Sequence, residues 1–419
     1  MLMIDDFRPV GGPIKSLQEN KNTLKAEPTF VTPDEIAQSD VNVPQPILGT
    51  PHTSAKPSSL KPWQNLKFSW PPNKKTVLIS LGVILLLTSG VGAVIALNQP
   101  TKAVPVRTVT AVKKVKPVLP PKPTTVASNL SGLQVDPSLN AKPVIGVMIE
   151  NSPDARPQSG LSQASVVYEA IAEGGITRFL ALFQDTNPAN IGPIRSVRPY
   201  FLQWDMGFDA PIAHVGGSPE ALAQIKSWGA KDLDQFFNGG SYHRISSRYA
   251  PHNVYTAVDT LTSLAIAKGY TTSSFTPWPR KAEAPSAQVT AKNIDLQISG
   301  AYYNVSYAYD KASNSYHRSE GGAPHMDANG NVQISPKVVI ALVMPYGLEA
   351  DAHHSVYGLV GSGEAIVFQD GISTIGQWHK ADYKGGMTFT NSAGAPLPLN
   401  PGQTWLTAVT SASNVVSAP

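Results

Sequence analysis

The chain has 419 residues with 33 Lys+Arg against 29 Asp+Glu, a formal net charge of +4, 37 prolines and no cysteine. Without cysteine it can hold no disulfide, thiolate zinc site or iron–sulfur cluster, and it can use no cysteine nucleophile. The basic excess lies outside the foldable part: net charge is +2 over residues 1–75, zero over 76–97, +5 over 98–140 and −3 over 141–419.

Residues 1–75 contain 11 prolines and show no sustained helical or strand period, which predicts a disordered tail. Thr76–Leu97 (TVLISLGVILLLTSGVGAVIAL) is 22 residues long and carries no charge. At about 1.5 Å per residue it would extend roughly 33 Å, matching a hydrocarbon core near 30 Å, so a single transmembrane helix is expected. A cleaved signal peptide does not fit, because the block starts 75 residues into the chain. Lys67, Lys74 and Lys75 precede it and Lys102 and Arg107 follow, a bias that favours a cytoplasmic N-terminus only weakly. Residues 98–140, with seven prolines and net +5, read as an extended linker able to touch anionic head groups or wall polymer.

The remaining residues predict an α+β N-terminal ectodomain over 141–280 and a mostly β C-terminal module over 290–419, separated by a Pro-rich linker near Phe275–Gln288. Apolar runs at Pro143–Glu150, Ser165–Ala172, Ile176–Gln184 and Ala210–Val215 read as buried strands, and Pro219–Trp228 and Val258–Lys268 as helices. Beyond the linker, strand-like runs alternate with turn signals at Asp310–Ser315, Asp327–Asn331, Gln369–Gly371 and Asn391–Gly394.

Polar residues cluster where these elements end. Arg156, held before Pro157, presents a guanidinium from a restricted backbone. Glu169 and Glu173 share one side of a strand or of a helix, which suits acid–base work, a hard cation or an ion-pair network with Arg178. Arg195, Ser196 and Arg198 form a Gly/Pro-bounded loop suited to forked binding of an oxyanion. His214–Gly216–Gly217–Ser218–Pro219 follows a strand and opens a helix, with Ser218 at the N-cap and Pro219 at N1, a turn that can present free N–H groups to an anion. His214, and His252 beside Asn253, are candidate general bases together with Glu169 and Glu173. The spacings of His317, His325, His353 and His354 fit no metal motif, so neither a metal nor a cofactor is expected. Nucleic acid is not an expected partner, because the foldable part is acidic and lacks a basic, aromatic-interleaved stripe.

The strings ARPQSGLSQASVVYEAIAEGGITRFLALFQ, GPIRSVRPYF and HVGGSPEAL, followed by APHMD, GSGEAIVFQDG, GQWHK and LNPGQTW, resemble the DUF3048 family of YerB-like bacterial envelope proteins over nearly all of 141–419. The resemblance implies an exported protein tethered to the membrane, N-terminus inside and C-terminal domains outside. It implies no reaction. Relatives tethered through a lipidated cysteine have no counterpart here, so the helix is expected to anchor the chain. The leading expectation is binding of an anionic group from a cell-wall polymer or envelope protein at Arg156, Arg178, Arg195, Ser196, Arg198, Gly216, Gly217, Ser218 and Asn253. A hydrolase or transferase using the Glu and His candidates, and a protein–protein adaptor, are the alternatives.

Overall fold

The computed structural model describes residues 29–30 and 124–419. The expected tail and linker therefore lie mostly, and the span Thr76–Leu97 wholly, outside the described residues; among those described, no helix is long and apolar enough to cross a membrane. The described part is mostly β with few helices. Its strands in chain order are β1 (Ile145–Glu150), β2 (Val166–Glu173), β3 (Ile176–Phe183), β4 (Ile212–Ala213), β5 (Asn293–Leu296), β6 (Val305–Asp310) and β7 (Ser315–Glu320). There follow β8 (Ala323–Pro324), β9 (Val338–Val343), β10 (Gly361–Gln369), β11 (Ile372–Lys380), β12 (Thr388–Asn391), β13 (Thr404–Val409) and β14 (Val415–Ala418), with shorter pairs between. The α-helices are α1 (Pro199–Met206), α2 (Pro219–Trp228) and α3 (Val258–Ala267).

One nine-stranded sheet, in the order β12-β11-β10-β9-β13-β2-β3-β1-β4, runs through both halves of the chain. The two expected modules are thus joined edge to edge: β13 pairs in parallel with β9 on one side and β2 on the other. The strands at this join are covered on both faces, which explains why β2 and β9 read as nearly unbroken apolar runs. At the rim, β11 alternates exposed and buried positions, as a strand with one wet face does. A five-stranded sheet, β8-β7-β6-β5-β14, packs against the large sheet on the face that carries Glu169. Helix α1 covers the other face, where Trp204 stacks on Tyr168 at 4.9 Å.

The segment read as a linker between modules is packed rather than free. Trp278 is buried and its Nε1 donates to Met387 O at 2.7 Å, and Arg280 bridges Leu399 in parallel. The last part of the expected spacer also folds back, with Leu130 buried in the core and Val126–Ala127 paired with Gln134–Val135. At the other extreme of the described residues, Thr29–Phe30 pairs antiparallel with Gly347–Leu348.

Helix α2 starts and stops on its expected signals. Ser218 Oγ accepts from Ala221 N at 3.3 Å, Pro219 follows at N1, and Gly229 closes the helix at φ +68°. Helix α1 has no comparable signature, because it is apolar nearly all round and its only buried charged residue is Asp205. Neither Asp205 oxygen has a hydrogen-bond partner, and burial, first, raises its carboxyl well above the ordinary range. It fits only because Gly146 on β1 lacks a side chain: a Cβ there would lie 1.8 Å from Asp205 Oδ1.

Gly146→Ala should therefore destabilise the protein by about 2–3 kcal/mol through overpacking. Asp205→Ala should recover most of that loss in the double variant while costing little alone, since the removed oxygens bond to nothing. Denaturant unfolding followed by tryptophan fluorescence measures all three variants; additive losses would show that the two positions do not collide.

Candidate functional site

Strand β1 ends in Glu150 and is followed by Asn151, and alternation along the strand sends the two side chains to opposite faces of the large sheet. Each organises a polar cluster. On the Asn151 side the cluster is interior apart from Arg156, which is part-exposed. Asn151 Nδ2 donates to Thr177 Oγ1 at 2.6 Å and Glu320 Oε1 at 2.5 Å, while its Oδ1 accepts from Arg156 Nε at 3.1 Å and Gln158 Nε2 at 2.9 Å. Glu169, fully buried, takes Arg318 Nη2 at 3.0 Å, Trp405 Nε1 at 3.1 Å, and the hydroxyls of Thr177 and Thr407 at 3.3 Å.

Arg318 is also fully buried, lies 4.5 Å from the Trp405 ring, and donates to His325 Nδ1 and Tyr307 OH. Because His325 Nδ1 accepts that bond, its proton sits on Nε2, which faces Gln158 Oε1 at 3.0 Å. Burial, then the Arg318 and Arg156 charges, hold His325 well below its ordinary value and keep the ring neutral. Glu320 lies 3.6 Å from Arg318 and 3.2 Å from Arg156. Burial, opposed by Arg318 and reinforced by Glu169, pushes its carboxyl up to about 7. This network fastens the five-stranded sheet to the large one, and Glu169 has no access to a substrate.

The Glu150 side reaches the surface. Glu150 is itself buried, but its Oε1 takes His252 Nδ1 at 2.9 Å and the Ser152 hydroxyl at 2.8 Å, and its Oε2 lies 3.1 Å from Arg195 Nε. The side chains of His252 and Arg195 are 22% and 28% exposed. No hydrogen bond among the described residues engages His252 Nε2 or the two terminal nitrogens of Arg195. Tyr303 lies against the Arg156 guanidinium at 5.3 Å.

The expected single cleft does not form. Arg156 is held by Asn151 and Glu320 on the other face from Arg195. Arg178 and Arg198 both pair with Glu173, and Arg178 also donates to Ser196 O at 2.7 Å. Asn253 accepts from Arg244 at 2.6 Å and donates to Arg248 O. The Gly216–Gly217–Ser218 turn has the expected shape, but its anion is internal: Asp234 Oδ1 accepts from Gly216 N at 3.0 Å, and Ser218 N is taken by Val197 O. His214 is fully buried with Nδ1 at 2.8 Å from Gly216 O and Nε2 at 3.0 Å from Asp232, so it braces the turn and cannot serve as a base. Of the four acid–base candidates, His252 alone keeps a free, accessible nitrogen.

The residues that sequence reasoning overlooked are Glu150, Ser152, Arg318 and Glu320. Glu150 carried one usable signal, an acid closing an otherwise apolar strand. Among the strings singled out earlier, APHMD contributes Asp327, which accepts from Gly160 N at 3.0 Å and Ser162 N at 2.7 Å and so pins the ARPQSGL loop.

Comparison with known proteins identifies the family. Residues 130–271 match the N-terminal domain model of "Protein of unknown function (DUF3048)", and residues 294–406 match its C-terminal domain model. The chain is 32% identical over 300 residues to "Putative lipoprotein YerB" of Bacillus subtilis (strain 168), covering 70% of this chain and 89% of that protein. It also resembles the crystal structure of the YerB protein from Bacillus subtilis, with a TM-score of 0.64 and 30% identity, over 70% of this chain and 100% of that one.

A carboxyl raised in the folded state makes its contribution below its unfolded value of 4.5 and loses it as pH climbs through about 7. Glu320→Gln, which cannot ionise, should remove that decline. The gap in melting temperature between variant and parent should shift in favour of the variant from pH 5 to pH 8; a constant gap would place the Glu320 titration elsewhere.

Proposed function

The chain belongs to the DUF3048 family, and on that premise we propose that it is a membrane-tethered, extracytoplasmic protein of the cell envelope that binds an anionic group beside Glu150. One observation carries the binding reading. Glu150 accepts from His252 Nδ1 with one oxygen and lies 3.1 Å from Arg195 Nε with the other, leaving the Arg195 fork as an unspent donor and His252 Nε2 as an acceptor that becomes a donor on protonation of the ring. A guanidinium and an imidazole held beside one buried carboxylate are preorganised, so little ordering entropy is lost when a carboxylate or phosphate arrives at the Arg195 fork and the protonated His252 ring. Wall polymers and envelope proteins both offer such groups. The same clamp favours a second reading, a hydrolase or transferase in which Glu150 orients His252 as general base. Ser152 weakens that reading, since its hydroxyl donates to Glu150 rather than to Nε2.

For the anchor, the uncharged block Thr76–Leu97 supports a single span, and the relative named as a lipoprotein is a further argument for membrane attachment. A lipidated cysteine is not open to this chain, which has none. With the N-terminus inside, a bilayer would lie between Thr29–Phe30 and the Gly347–Leu348 strand they flank, so that pairing and this topology are mutually exclusive alternatives.

Two experiments test these readings. Full-length protein in detergent should sediment with purified cell walls, and Arg195→Gln with His252→Gln should cut the bound fraction by about tenfold or more, the loss of one or two charged hydrogen bonds. Unchanged binding would discard the site. Because the chain has no cysteine, single cysteines report topology without background. A membrane-impermeant maleimide should label Ser413→Cys on intact cells and Ser16→Cys only after lysis; labelling of both on intact cells would reverse the topology in favour of the strand pairing.

A further inference from the structure

Far from Glu150, a second set of side chains is arranged for covalent chemistry. The segment before β5 runs parallel to the one before β13: Lys281 N donates to Leu399 O at 3.1 Å and Leu399 N to Pro279 O at 2.9 Å. That register sets Lys281 beside Asn400, 119 residues later, with Lys281 Nζ 2.6 Å from Asn400 Oδ1. One carboxylate spans the pair. Asp370 Oδ2 contacts Lys281 Nζ, and Asp370 Oδ1 accepts from Asn400 Nδ2 at 2.7 Å and from Asn314 Nδ2 at 2.9 Å.

The surroundings hold this triad rigidly. Asp370 and Gly371 form the two-residue turn between β10 and β11, with φ of 58° and 77°. A hairpin tip is usually wet, yet Asp370 is buried, because Ser286 N donates to its carbonyl and Ala284 N to its carboxylate. Asn400 is fully buried, while Lys281 is 28% exposed, which leaves an exit for a small leaving group.

We propose that Lys281 and Asn400 join in an intramolecular isopeptide bond, with Asp370 as the proton-transfer group. Asp370 takes a proton from the Lys281 ammonium, and the free amine attacks Asn400 Cγ. The new Nζ–Cγ bond forms, the Cγ–Nδ2 bond breaks, the leaving nitrogen takes the proton held by Asp370, and the further proton shed by Nζ converts the ammonia to ammonium. Ammonia is the sole by-product, it departs as ammonium, and no oxidant or reductant takes part. The amine and amide are held within reach of attack by the fold, which is the arrangement that lets a difficult bimolecular step run intramolecularly. Burial works against the Asp370 charge, but Lys281, Asn314 and Asn400 outweigh it and hold the carboxyl below its ordinary range. The ionised Asp370 is the proton acceptor in contact with Lys281 Nζ. A chain without cysteine has no disulfide with which to close such a loop, and this bond would close one.

Intact mass spectrometry of the purified full-length chain decides the matter. The parent protein should be lighter than its sequence by one ammonia, and digestion should yield a branched peptide joining Lys281 to Asn400. Lys281→Arg keeps the charge and the ion pair with Asp370 but should restore the full sequence mass, as should Asp370→Asn. A parent protein at its full sequence mass, with Lys281 and Asn400 on separate peptides, would overturn the proposal and leave the triad an ordinary buried ion pair.

Discussion

The ion pair between Arg318 and Glu169 is the constraint around which the rest is arranged. Both groups are fully buried, so each loses its water and must be compensated by the other and by hydrogen bonds. Trp405 supplies both a ring against the guanidinium and an N–H to the carboxylate, Tyr307 and His325 take two further guanidinium donors, and Thr177 and Thr407 complete the carboxylate. These groups come from β2, β3 and β13 of the large sheet and from β6, β7 and the segment just beyond them in the smaller one. A single charge pair therefore fixes the two sheets against each other, and losing one partner would strand the other in the interior.

That constraint separates structural from available chemistry. Arg156, Arg178 and Arg198 are all spent on internal carboxylates, and the Gly216 turn is filled by Asp234. What remains outward-facing is small: the Arg195 fork and one imidazole nitrogen, both held by Glu150. The arginine-rich look of the sequence overstated the anion-binding surface, because charge that completes a fold reads the same, residue by residue, as charge that greets a ligand.

Local signals were legible and distant ones were not. The start and end of α2, the strands β1 to β3 and the turn at Gln369–Gly371 all follow from cap residues, apolar runs and a D-G pair that act within a few residues. Helix α1 escaped because Arg198–Pro199 reads as a loop and the apolar residues after it surround the axis rather than forming a stripe. The site failed in the same way: His214 and Glu169 read as acid–base candidates, but the partners that neutralise them are Asp232, 18 residues on, and Arg318, 149 residues on. No periodicity reports such a pairing. The shared sheet was hidden for the same reason, since β13 gives no local hint that its neighbour is β2.

The position of β13 has a consequence for how the molecule is made. This strand follows every other strand of the large sheet in chain order, yet it lies in the middle of that sheet, flanked on both sides by parallel partners. Until it arrives, β2 and β9 each present an open apolar edge, and neither half can close its core. Pairings of such long sequence separation form slowly. The large sheet would thus stay open until β13, the last of its strands in chain order, is in place, and the chain depends on protection from its neighbours meanwhile.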